Sequence, residues 1–127
     1  MSIAAAQHDK FMTQVAQERR VFSFTDEGQL LIYPTARGDV IPFWSSRGRL
    51  VAIQKRSAKY QQWAITELSL EEFQTRLAQL ERERLLVGVN WSGSELTGYN
   101  VPVSQLRASL EHALQQVAGA PSTTSSG

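Results

Sequence analysis

The segment Leu85–Tyr99, LLVGVNWSGSELTGY, decides how this chain folds. Leu85 to Trp91 begins as a short apolar run and reads as a buried strand. Ser92-Gly93-Ser94 then supplies turn chemistry, and Thr97 to Val101 returns as a partner strand. A strand, a tight turn and a strand make an antiparallel pair. The same segment places a large aromatic, Trp91, where the chain turns polar. A second Trp-Ser pair occurs in IPFWSSRGR, residues 41–49.

Working back toward the N-terminus, Ser69-Leu70-Glu71-Glu72 is a capping box, with a serine three residues before a glutamate. It opens a helix whose Phe73, Leu77 and Leu80 line one face. Ala64 to Leu68 before it is a strand. The stretch RGRLVAIQKRS predicts a helix with Leu50 and Ile53 inward and Arg49, Lys55 and Arg56 outward; Ser45 or Ser46 is its N-cap. Upstream lie three short strands: Val21 to Phe24, Leu30 to Tyr33 and Val40 to Trp44. Asp26-Glu27-Gly28 and TARGD turn between them, so they form an antiparallel meander. Ala4, His8, Phe11 and Val15 recur at helical spacing and predict a first helix. Leu106, Leu110, Leu114 and Val117 predict a last one.

The order α-βββ-α-β-α-ββ-α predicts a single α+β domain over residues 1–118. Its expected core is a mainly antiparallel sheet of about five or six strands, with helices packed on one face. Residues 119–127, GAPSTTSSG, have nothing to bury and are expected to form a disordered tail.

Composition narrows the chemistry. The chain has 127 residues, 42% of them hydrophobic, and a net charge of +1, so no global field draws it to nucleic acid or membrane. It contains no cysteine, which excludes disulfides, thiolate catalysis and cysteine-ligated metal. A cytoplasmic setting fits that composition. The start of the chain shows no signal-peptide pattern, and no apolar run is long enough to span a bilayer. His8 and His112 lie one per predicted helix, without metal-ligand spacing, so no metal or other cofactor is expected. There is no Walker loop, no G-x-G-x-x-G and no G-x-S-x-G elbow.

Two features mark a possible site. Arg47 and Arg49 fall in the first turn of a helix, where the dipole disfavours cations. They call for an anionic neighbour, and an internal carboxylate, Glu95 or Asp39, is favoured over a ligand. Trp44 and Trp91 each end a strand before a serine. If the two strand ends meet, they either seal the core as lids or flank a partly exposed aromatic cleft. The cleft reading takes Trp44, Ser45, Ser46, Arg47, Arg49, Asn90, Trp91, Ser92 and Tyr99 as ligand-binding residues, with no catalytic group among them. A protein or a small anionic ligand is then the expected partner, and a homodimer is left open. Two alternatives use other chemistry. One is a hydrolase-type enzyme in which Ser92 or Ser94 acts with a histidine. The other is single-stranded nucleic-acid binding through residues 47–63, where Arg47, Arg49, Lys55, Arg56 and Lys59 mix with Trp44, Tyr60 and Trp63.

The segment Val21 to Gly28, the block Pro42 to Ser46 (P-F-W-S-S), the run Glu71 to Phe73 and the block Leu86 to Tyr99 (with G-V-N-W-S-G) together resemble a family of small bacterial proteins catalogued as domain of unknown function 2750. The resemblance runs from about Ala5 to Leu114. It implies one small domain and a bacterial, cytosolic setting. It supplies no activity, cofactor or catalytic residue, and it implies that the two Trp-Ser blocks belong to one shared design.

Overall fold

The computed structural model describes residues 3–92 and 97–118. Among these residues are four α-helices: α1 (Ile3–Glu18), α2 (Arg47–Arg56), α3 (Leu70–Arg82) and α4 (Val103–Ala118). The strands are β1 (Arg20–Asp26), β2 (Gln29–Leu30), β3 (Tyr33–Thr35), β4 (Gly38–Phe43), β5 (Ala64–Ser69), β6 (Leu86–Ser92) and β7 (Thr97–Pro102). The class is α+β with mainly antiparallel pairing, as the sequence pattern predicts.

The strands divide differently from the single sheet expected. They form a three-stranded sheet in the order β2-β1-β5 and a four-stranded sheet in the order β3-β4-β6-β7. The cause lies at Leu31–Ile32, where the expected second strand breaks. Its first half, β2, pairs with β1; its second half, β3, pairs with β4. The two sheets are nevertheless joined. Phe22 and Trp44 exchange backbone hydrogen bonds of 2.8 Å in each direction, an antiparallel bridge from β1 to the end of β4. The β4–β6 pair is parallel, and α2, β5 and α3 make the crossover between them.

Helices cover both faces rather than one. β1 and β6 each carry five consecutive buried residues, Val21–Thr25 and Val87–Trp91, and a strand sealed on both sides needs cover on both. On one side α1, α3 and α4 enclose a core around Phe11, Val15, Phe43, Phe73, Leu77, Leu106 and Leu110. On the other, α2 and a 3-10 turn at Ala58–Tyr60 close a second core around Phe24, Trp44, Leu50, Ile53 and Tyr60. Alternation along β4 feeds both: Ile41 and Phe43 enter the first core, Val40 and Trp44 the second. The capping box at α3 forms as predicted. Glu72 N–H donates to Ser69 Oγ at 3.1 Å, and Ser69 N–H donates to Glu72 Oε1 at 2.8 Å.

Candidate functional site

The two Trp-Ser blocks are parts of one structure, brought together because β4 and β6 are parallel neighbours. Trp44 Nε1–H donates to the Trp91 carbonyl at 2.8 Å. Ser45 N–H donates to Asn90 Oδ1 at 2.9 Å, and Asn90 Nδ2–H donates back to Ser45 Oγ at 3.1 Å. Ser45 Oγ in turn donates to Gln14 Oε1 on α1 at 2.6 Å. Ser45 and Asn90 are buried, so these polar groups need partners from within the protein, and each block supplies them to the other.

Asn90 is the hinge of the arrangement. Its φ is +48°, in the left-handed region that asparagine tolerates better than most residues. The β6–β7 register shifts there, from Val89↔Tyr99 to Ser92↔Thr97, so Asn90 and Trp91 form a bulge. Strict alternation would send Trp91 to the face of Val87 and Val89. The extra residue reverses that parity, and Trp91 joins the second core instead. Its indole lies over Gly88 and Gly98. A Cβ at Gly88 would fall inside the ring's van der Waals envelope, and one at Gly98 would come within 2.7 Å of it. Tyr33 meets the ring edge-on at 5.4 Å, and Trp91 Nε1–H donates to Asn100 Oδ1 at 2.8 Å.

The two tryptophans therefore meet, the Trp44 indole on the Trp91 backbone, but the partly exposed cleft is corrected. Trp44 is 0% and Trp91 3% exposed, and both indole N–H groups meet oxygen acceptors within the fold. The rings act as lids. Ser45 is an internal linker, not a surface cap. Ser46 occupies the N-cap position of α2 with extended backbone, yet its side chain makes no capping bond. Arg47 is exposed in the first turn. The Tyr99 side chain, Ser94 and Glu95 lie outside the described residues.

Open space survives at one corner of this arrangement. A cavity of about 160 Å³ is lined by Arg49, Ala52, Ile53, Arg56, Trp91 and Ser92. The four α2 residues recur at i, i+3, i+4 and i+7, so they share one helical face. Arg49, expected to point outward, is partly buried there, and desolvation pulls its guanidinium below the ordinary value for arginine. It stays cationic at neutral pH, since a guanidinium does not deprotonate in proteins. No carboxylate among the described residues forms an ion pair with Arg49 or Arg56. Asp39 is exposed on β4 within the β3–β4 hairpin and makes no such pair. Of the residues expected at a site, Arg49, Trp91 and Ser92 thus share one cavity. Ala52 and Ile53 were missed, and Arg56 was named only for nucleic-acid binding, although their helical spacing from Arg49 was readable.

A larger groove lies elsewhere, between α1 and α4. It measures about 660 Å³ and includes both histidines, together with Asp9, Met12, Ser109 and Val117. Ser92 opens into the arginine cavity, whose lining contains no histidine. No cluster of three or more metal-ligating side chains occurs among the described residues. Around residues 47–63 the aromatics turn toward the second core: Trp44 and Tyr60 are buried, and Trp63 packs partly buried against it. No helix among the described residues is long and apolar enough to cross a membrane.

Fold and site together define an α+β protein in which two Trp-Ser blocks lock a bulged corner beside a cationic cavity. The family model described as "Protein of unknown function (DUF2750)" matches residues 8–110, and the chain belongs to that family. No curated protein and no solved structure matches it.

Proposed function

We propose that this chain is a non-catalytic binding module and that the cavity between α2 and the bulge of β6 receives an anionic group. Arg49 carries the proposal. A cation drawn partly out of water loses hydration, and proteins normally offset that loss with a paired carboxylate. Among the described residues Arg49 has none, and Arg56 on the same face doubles the local positive charge. An incoming anion would supply the missing partner. A regulatory or adaptor role belongs to the same proposal, set in the bacterial cytoplasm that the family resemblance implies and with which the cysteine-free composition is compatible. The serine-nucleophile and nucleic-acid readings have less support. The cavity of Ser92 contains no histidine, and two of the three aromatics needed for base stacking, Trp44 and Tyr60, are packed into the core.

The test is an NMR titration at constant ionic strength with sodium acetate and sodium phosphate. The Trp91 indole N–H and Arg49 Nε–H resonances are followed in the wild type and in Arg49→Gln/Arg56→Gln. Saturable shifts in the wild type that vanish in the double variant are expected. Shifts that are linear and identical in both proteins would reject the site. A Glu95→Gln variant is run alongside. Anion binding that appears only in that variant would make Glu95 the native partner and end the ligand reading.

A further inference from the structure

We infer that the group taken by this cavity is a carboxylate carried on a short aliphatic stem. The inference rests on the anionic reading above and adds the ligand's chemistry. The wall between the two arginines is apolar: the Ala52 methyl, the Ile53 side chain and the face formed by Trp91. Arg49 and Arg56 are seven residues apart, about 10 Å along the helix axis at 1.5 Å per residue. One is partly buried and the other exposed, so the cations sit at the inner and outer ends of the site. A phosphate or sulfate spreads charge over several oxygens and calls for donors around it. Among the described residues of this lining, the Ser92 hydroxyl is the only other side-chain donor left over, since the Trp91 indole N–H is already given to Asn100. A carboxylate offers two oxygens on one side, which matches the planar fork of a single guanidinium. Its stem then lies on the apolar wall.

Size sets the length of that stem. The cavity is small, about 160 Å³, and so suits a short stem. Butyrate carries three carbons beyond its carboxylate to lay on the wall between the arginines; acetate carries one, and hexanoate extends beyond that wall. The same chemistry has two sources: a free small acid, or the C-terminal carboxylate of a polypeptide ending in an aliphatic residue.

The experiment titrates full-length protein with acetate, propionate, butyrate, hexanoate, phosphate and sulfate at constant ionic strength, reading the Trp91 indole N–H. Affinity is expected to rise roughly fourfold per methylene from acetate to butyrate, the increment of one buried methylene, and to stop rising at hexanoate. Arg49→Gln should abolish binding. Ala52→Leu changes an exposed position, so the fold should stand, and it should remove the gain with stem length by filling the wall. Acetyl-Ala-Val with a free carboxylate, compared with its amide, separates the sources. Tighter binding than butyrate by the acid alone assigns a chain terminus, and butyrate binding at least as tightly assigns a small acid. Phosphate or sulfate binding as tightly as butyrate overturns the carboxylate assignment while leaving an anion site. The neutral amide matching the acid shows that charge is not what the site reads, and overturns the anionic reading with it. No response to any of these anions overturns the functional reading itself.

Discussion

Asn90 shows how one side chain can set the direction of a strand. Its left-handed backbone makes the bulge, and its amide satisfies both the N–H and the hydroxyl of Ser45. Replacing it by alanine leaves buried groups unpaired and adds left-handed strain. Asn90→Ala should cost roughly 2–4 kcal/mol of stability. Asn90→Gly removes the same hydrogen bonds but tolerates the backbone, and should cost about 1 kcal/mol less. Urea melts of the two variants check the difference, and equal losses would place the whole effect in the side chain. The bulge was not legible in the sequence. Alternation through Val87 and Val89 assigns Trp91 to their face, and only an inserted residue reverses that assignment. The pairing of Ser45 with Asn90, 45 positions apart, also leaves no local trace. Arg49 was legible as a cation in need of a partner, but its partial burial depends on where α2 docks.

At the scale of elements, local chemistry was the readable part. The capping box fixed the start of α3 because both its bonds lie within three residues. The break between β2 and β3 and the parallel β4–β6 pair were hidden, since both depend on partners distant in sequence. The β6–β7 ribbon carries a second prediction. Gly88 and Gly98 give the Trp91 ring its seat, so a methyl group at Gly88 must displace the ring or the strand. Gly88→Ala should lose about 2–3 kcal/mol, the upper part of the range for overpacking. In a Trp91→Phe background the smaller ring leaves space, and the same substitution should cost less than half as much. A double-mutant cycle from thermal or denaturant melts measures that coupling. Additive losses would mean that the glycine serves the backbone and not the indole.

Across the molecule, the two cores share their strands. Val21 and Phe22, Ile41 and Val40, and Val87 and Leu86 are neighbours in sequence whose side chains enter opposite cores. Neither core can come apart without twisting strands that belong to the other. Unfolding should therefore be a single cooperative step. Tryptophan fluorescence reports the second core, where Trp44, Trp63 and Trp91 reside, while far-UV circular dichroism is dominated by helices, most of them packed on the first. Coincident urea transitions are expected from the two signals. A fluorescence transition well below the dichroism transition would show that the α2 side opens by itself. The α+β class was readable because element types follow from periodicity. The two-core arrangement was not, because a strand buried on both faces and one buried on a single face can share the same short apolar run.

The reciprocal bonds between the Trp-Ser blocks have a consequence for a severed chain. Arg84, exposed and left-handed with φ +60°, sits on the link between α3 and β6. A cut there would leave Trp44 and Ser45 on one piece and Asn90 and Trp91 on the other. Each fragment would hold half of a latch whose parts have no use alone. If the latch is what aligns them, mixing the two pieces restores the burial of Trp44 and Trp91, and tryptophan fluorescence of the mixture against each piece alone checks it.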